Sequence, residues 1–121
     1  MPPSPPAPAS AGQSSPGATT VRKLGLLFTS APALPPFRHG VRLAEAALAA
    51  GVQVYAYCLD DAVPGVSDPT LQALRARGLH LYACAYGARK RRLRMGEEAV
   101  YAGLTVLSDI LSATDRCLVL G

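Results

Sequence analysis

Short apolar runs separated by helix-forming stretches restrict this chain to an α/β fold. The first run, Val21–Ser30, contains Leu24-Gly-Leu-Leu-Phe28, apolar at successive positions as in a strand buried on both faces of a parallel sheet. Gln53–Leu59 (Gln-Val-Tyr-Ala-Tyr-Cys-Leu) is dense in β-formers, Leu79–Ala83 reads as a third strand ending at Cys84, and Arg116–Leu120 as the last. A loop holding Pro32, Pro35 and Pro36 precedes an Ala- and Leu-rich helix, Arg38–Ala50, with Val41, Ala44 and Leu48 on one face and Gly51 as its cap. Asp68-Pro69 opens a second helix, with Asp at the N-cap and Pro at the first helical position. Arg75 and Arg77 suit the dipole in its last turn, and Gly78 ends it. Leu104, Leu107 and Leu111 recur at helical spacing. Strands joined by helical crossovers imply a parallel sheet with helices on both faces.

At 121 residues the chain is one domain by length, and the folded part is shorter. Residues 1–20 hold only Pro, Ser, Ala, Gly, Thr and Gln after Met1. Such a segment buries too little apolar surface to offset the entropy of ordering it, so it is expected to be a disordered extension before a domain over 21–121. It has neither the basic nor the apolar region of a secretory leader. No apolar run is long enough for a membrane helix, and the expected location is cytoplasmic.

Net charge is +4, from 12 Lys and Arg against 8 Asp and Glu. The run Arg89-Lys-Arg-Arg-Leu-Arg94 supplies five of those cations and leaves seven elsewhere, so the basicity is local. Nucleic-acid binding needs cations spread along a face and is not expected; one patch for an anionic partner is.

Cys58, Cys84 and Cys117 have neither disulfide-framework nor zinc spacing. Cys84 closes the third strand just before the basic run. A thiol at the C-terminal end of a strand sits where open α/β sheets build sites, and nearby positive charge favours the nucleophilic thiolate. In a three-layer sandwich with a mostly parallel sheet of four or five strands in flavodoxin-like order, strand one would separate strands two and three. Cys58 and Cys84 would then lie about 9–10 Å apart, two strand spacings. Cys58 is a possible second thiol on that edge. Cys117 begins the last strand and should face the opposite edge. Ser30, Asp60 and Asp61 fall in loops at the Cys84 edge and are candidate pocket residues. His39 at a helix start reads first as an exposed helix residue, with an acid or base at that edge as the alternative, while His80 reads as a satisfied core residue. The loop around Ser30 lacks the glycines and backbone donors of a phosphate cradle.

Taken in order, these residues resemble the DsrE/DsrF-like sulfur-relay family, which includes TusD-type sulfurtransferases. The resemblance runs from Lys23 to Gly121. It rests on the loop Phe28-Thr-Ser-Ala-Pro32, an Ala-rich helix into Gly51-Val-Gln-Val and the turn Leu59-Asp-Asp-Ala-Val63, where the family has Asp-Gly-Val. Cys84 with its following basic segment, and a tail through Asp115-Arg-Cys-Leu-Val, complete it. It implies that Cys84 carries sulfane sulfur as a persulfide between a protein donor and a protein acceptor, without cofactor or metal. It also implies a homotrimer or hexamer, compatible with 50% hydrophobic residues of which few are aromatic. Arg89, Lys90, Arg91 and Arg92 would dock the partner and stabilise the sulfur anion. The alternative is a non-catalytic oligomeric binding or regulatory protein on the same fold, with Cys84 buried and inert.

Overall fold

The first strand, β1 (Lys23–Phe28), lies inside a five-stranded parallel sheet, which accounts for its uninterrupted apolar sequence. The structure, a computed structural model, describes residues 22–121. The extension read over 1–20 lies outside them. Helix α1 spans Pro35–Ala49, β2 Gln53–Cys58, and a 3-10 segment Asp60–Ser67. They are followed by α2 (Pro69–Ala76), β3 (His80–Cys84) and α3 (Ala85–Lys90). The chain closes with β4 (Val100–Ala102), α4 (Leu104–Ala113) and β5 (Arg116–Leu120).

The sheet order is β4-β3-β2-β1-β5. The three-layer α/β architecture is as expected, but β1 lies between β2 and β5, so β2 and β3 are direct neighbours, with Cys58 registered against Ala83. The separation of two strand spacings between Cys58 and Cys84 therefore does not hold. Strand alternation sorts the side chains into two cores. Leu26, Phe28, Val54, Ala56, Cys58, Leu81 and Ala83 face α1 and α2, where Phe37, Val41, Ala44, Leu71 and Leu74 close the layer. Tyr55, Tyr57, Tyr82 and Cys84 face the other way, against Ala88 of α3 and Ile110 of α4.

Helix α1 begins three residues before the expected Arg38, because Pro35 and Pro36 occupy the first helical turn, where a missing N–H costs nothing. Two glycines let this layer close. A Cβ on Gly65 would come within 2.5 Å of the Phe37 ring, and one on Gly40 within 2.6 Å of the Phe28 ring. The leucine spacing of α4 marks a helix, but not a buried stripe: Leu104 and Leu111 are exposed, and Ile110 and Ala113 are the buried residues. β4 escaped the sequence reading because it is only three residues long. His80, expected in the core, is exposed at the start of β3, with its ring stacked 4.5 Å from that of Tyr55.

Asp68 caps α2 as its sequence position suggests. Its carboxylate accepts from the amides of Thr70 and Leu71, both at 3.1 Å, and pairs with Arg38 at 2.7 Å. Burial raises its pKa, but the Arg38 hydrogen bond and the Leu71 and Thr70 amides outweigh that, so the net shift is downward from 3.8. A depressed carboxylate contributes stability that is fully present above the unfolded value and is lost as pH falls through the folded one. Asp68→Ala is expected to destabilise the domain by about 1–2 kcal/mol at pH 7, the range of a lost cap. The difference from wild type should shrink below pH 4, which urea melts across pH 2–7 would show. A difference that stayed constant with pH would contradict this role.

Candidate functional site

Cys84 is the last residue of β3 and the N-cap of α3. Its backbone is extended, and its sulfur accepts the Gly87 N–H at 3.3 Å. The side chain is only 6% exposed, in a setting of Tyr57, Tyr82, Val63 and Ala88. Leu59, Leu93 and Tyr101 pack around that cluster. Gly87 fits closely above it: a Cβ there would meet Val63 at 3.2 Å and Arg91 at 3.6 Å.

The basic run divides in two. Arg91 turns back onto the site, donating to the Gly87 carbonyl at 3.3 Å and pairing with Asp61 at 3.2 Å. Arg89 and Lys90 lie exposed in the last turn of α3, and Arg92 is exposed just beyond it with φ 57°. Asp60, at the end of β2, also has a left-handed backbone, φ 52°. Asp and Asn adopt that conformation more readily than most residues, and here it turns the chain off the sheet into the 3-10 segment. The structure thus brings Cys84, Arg91 and Asp61 together at the β2–β3 end of the sheet.

Other candidates lie elsewhere. Cys58 neighbours β3 in the sheet but points to the α1–α2 side, is 0% exposed, and burial pushes its thiol up to about 12. The sheet itself stands between it and Cys84. Cys117 is half-buried against Gly25, three positions before the end of β5, and burial raises its pKa also. Ser30 follows β1 on the β5 side, where the Thr29 N–H donates to the Leu120 carbonyl. His39 and Arg42 line a cleft of about 400 Å³ with Pro35, Pro36 and the end of β5. His39 is exposed on α1, which packs on the sheet face opposite Cys84, so it does not serve Cys84. Among the described residues no three His, Cys, Asp or Glu side chains are grouped to hold a metal, and no helix is long and apolar enough to cross a membrane.

Tyr57 joins the site although no motif in the sequence marks it. Its signal was present in the period-two pattern, since Tyr55 and Tyr57 share one strand face, and Tyr82 and Cys84 share the same face of the next strand. The register that aligns them was not readable without the strand order.

The five parallel strands, with helices on both faces, make a three-layer α/β fold. The chain is similar to the crystal structure of the ychN protein from E. coli, with a TM-score of 0.69 and 15% sequence identity, over 83% of this chain and 99% of ychN. At that identity the likeness is one of fold. No family model and no curated protein matches the sequence.

Proposed function

We propose that this chain is a small sulfur carrier that takes up and passes on sulfane sulfur as a persulfide on Cys84. The observation that carries the reading is the placement of Cys84 at the C-terminal end of β3, its sulfur accepting the Gly87 amide and Arg91 closing over that turn. N–H donors aimed at sulfur favour its anion, the form that attacks. In the loading step the Cys84 thiolate attacks the outer sulfur of a donor persulfide, R–S–SH. A new S–S bond forms, the donor's S–S bond breaks, and R–S⁻ leaves. Release to an acceptor thiolate is the same exchange reversed, with no outside oxidant.

Arg89, Lys90 and Arg92, exposed beside the site, suit docking of an acidic donor or acceptor protein. Such association weakens with salt, because exposed charges are screened beyond about 10 Å at 0.1 M.

One observation favours the second reading, an oligomeric binding or regulatory protein with an inert thiol. Cys84 is 6% exposed and already serves as a helix cap. Transfer therefore requires a local opening of the cover over Cys84, of the kind that loop-proximal sites undergo below the global unfolding energy.

Alkylation of the folded protein separates the two. The carrier reading expects Cys84 to be modified under native conditions, and Cys58 only on unfolding, since it is fully buried and its thiol stands near 12. Peptide mapping after brief iodoacetamide treatment, with and without urea, reads this directly. Cys84 protected to the same degree as Cys58 would favour the inert protein.

A further inference from the structure

Tyr57 is fully buried, on the sheet face that it shares with Cys84. It starts on β2, and its hydroxyl donates to carbonyl oxygens of Ala102 at 3.1 Å and Gly103 at 3.3 Å, at the junction of β4 and α4. β3 lies between β2 and β4, and the β3 residue registered against Ala102 is Cys84. Tyr57 and Cys84 share one core. A side chain that runs from Tyr57 to Ala102 therefore passes over Cys84 on the same face.

A phenol has one proton to donate. While Cys84 is a neutral thiol, the two carbonyls hold it. A sulfur anion is the stronger acceptor, because charge-assisted hydrogen bonds are roughly twice as strong as neutral ones. We propose that Tyr57 is the hydrogen-bond donor to the Cys84 sulfur anion, and that turning to it frees the Ala102 and Gly103 carbonyls, so that the state of Cys84 is transmitted to the β4–α4 junction. Val100 and Leu104 flank that junction and are 55% and 60% exposed, which places the consequence at an exposed apolar surface. Burial first, then the charge of Cys84, push Tyr57 ionisation upward, so Tyr57 stays a donor across the neutral range.

The transmission of sulfur loading rests on the carrier reading; the bond to the thiolate does not. Other titratable groups around the pair are Tyr55 and Tyr82 of the sheet, Tyr101 with its Glu98 partner, and Asp61 paired with Arg91. Across the sheet Cys58 adds its charge only if ionised. Helix α4 contributes Val106, Leu107 and Ile110 to this core.

The test is the pH profile of Cys84 alkylation, read without any sulfur donor. In Tyr57→Phe the rate at pH 7 should fall about tenfold and the profile move to higher pH, the size expected for losing a bond to a charged group. A merely structural role would change the rate without moving the profile. Should that variant fold poorly, difluorotyrosine placed at position 57 keeps the shape and strengthens the donor, and should move the profile to lower pH. An unmoved profile in a folded variant would overturn the assignment. Hydrogen exchange at the amides of residues 103–107 should rise in wild-type protein carrying the persulfide, and equal exchange in loaded and empty protein would overturn the transmission. Wild type that takes up no sulfur would instead defeat the carrier reading, with the alkylation profile still deciding the role of Tyr57.

Discussion

The Cys84→Ser variant is expected to take up no sulfane sulfur while keeping its fold. Oxygen is a poor nucleophile near neutral pH without an activating base and forms no stable link to a sulfane sulfur, so the loss should be complete rather than graded. The fold should survive because Cys84 also caps α3, and serine is a better N-cap than cysteine. Its hydroxyl can accept the Gly87 amide that the thiol accepts now, at 3.3 Å. The stability change should stay within about 1 kcal/mol, since the buried hydroxyl keeps a partner. Urea melts and sulfur uptake measured on the same preparation separate the two effects. A variant that unfolds would show that the thiol's packing matters more than its chemistry.

Phe37→Ala should be the most damaging single truncation of the α1 layer. Phe37 is fully buried, lies 4.9 Å ring to ring from Phe28, and is covered by Arg38 at 5.7 Å. Gly65 approaches its ring so closely that no Cβ fits between them. Removing the ring leaves a cavity between the 3-10 segment and the helix, at a cost of about 3–5 kcal/mol. Each kcal/mol lowers the melting temperature of a domain this size by about 4–8 °C, so the transition should move far enough for a calorimeter to register without ambiguity. A shift of only a few degrees would mean that the layer collapses to fill the space. Cys58 lies in this same core, so the variant should also lose protection of Cys58 from alkylation.

How much of this was legible in the sequence depends on whether a signal is local. The Asp68-Pro69 cap, the apolar β1 and the Cys84 strand end are set by neighbours in the chain and were readable from it. The 3-10 segment was read only as an acidic turn, because Asp60 must adopt a left-handed backbone that the sequence tolerates without demanding. Strand order is a long-range property. The same alternation of strands and helices permits β1 beside β3 or beside β5, and only packing of the two helix pairs decides between them. That choice also decided which cysteine stands near Cys84. Placing β2 next to β3 brings Cys58 close in the sheet, yet the pleat sends the two thiols to opposite faces. In the basic run, charge alone could not distinguish Arg91, which folds back to Asp61, from Arg89, Lys90 and Arg92, which remain exposed.

The carrier reading stands or falls on which thiol accepts sulfur. Incubating the folded protein with a small-molecule persulfide, followed by intact-mass spectrometry and peptide mapping, tests it most directly. A gain of one sulfur atom is expected, mapped to Cys84, lost in Cys84→Ser and unaffected in Cys117→Ser. Wild-type protein that gains no sulfur, or sulfur that maps to Cys117, would contradict it.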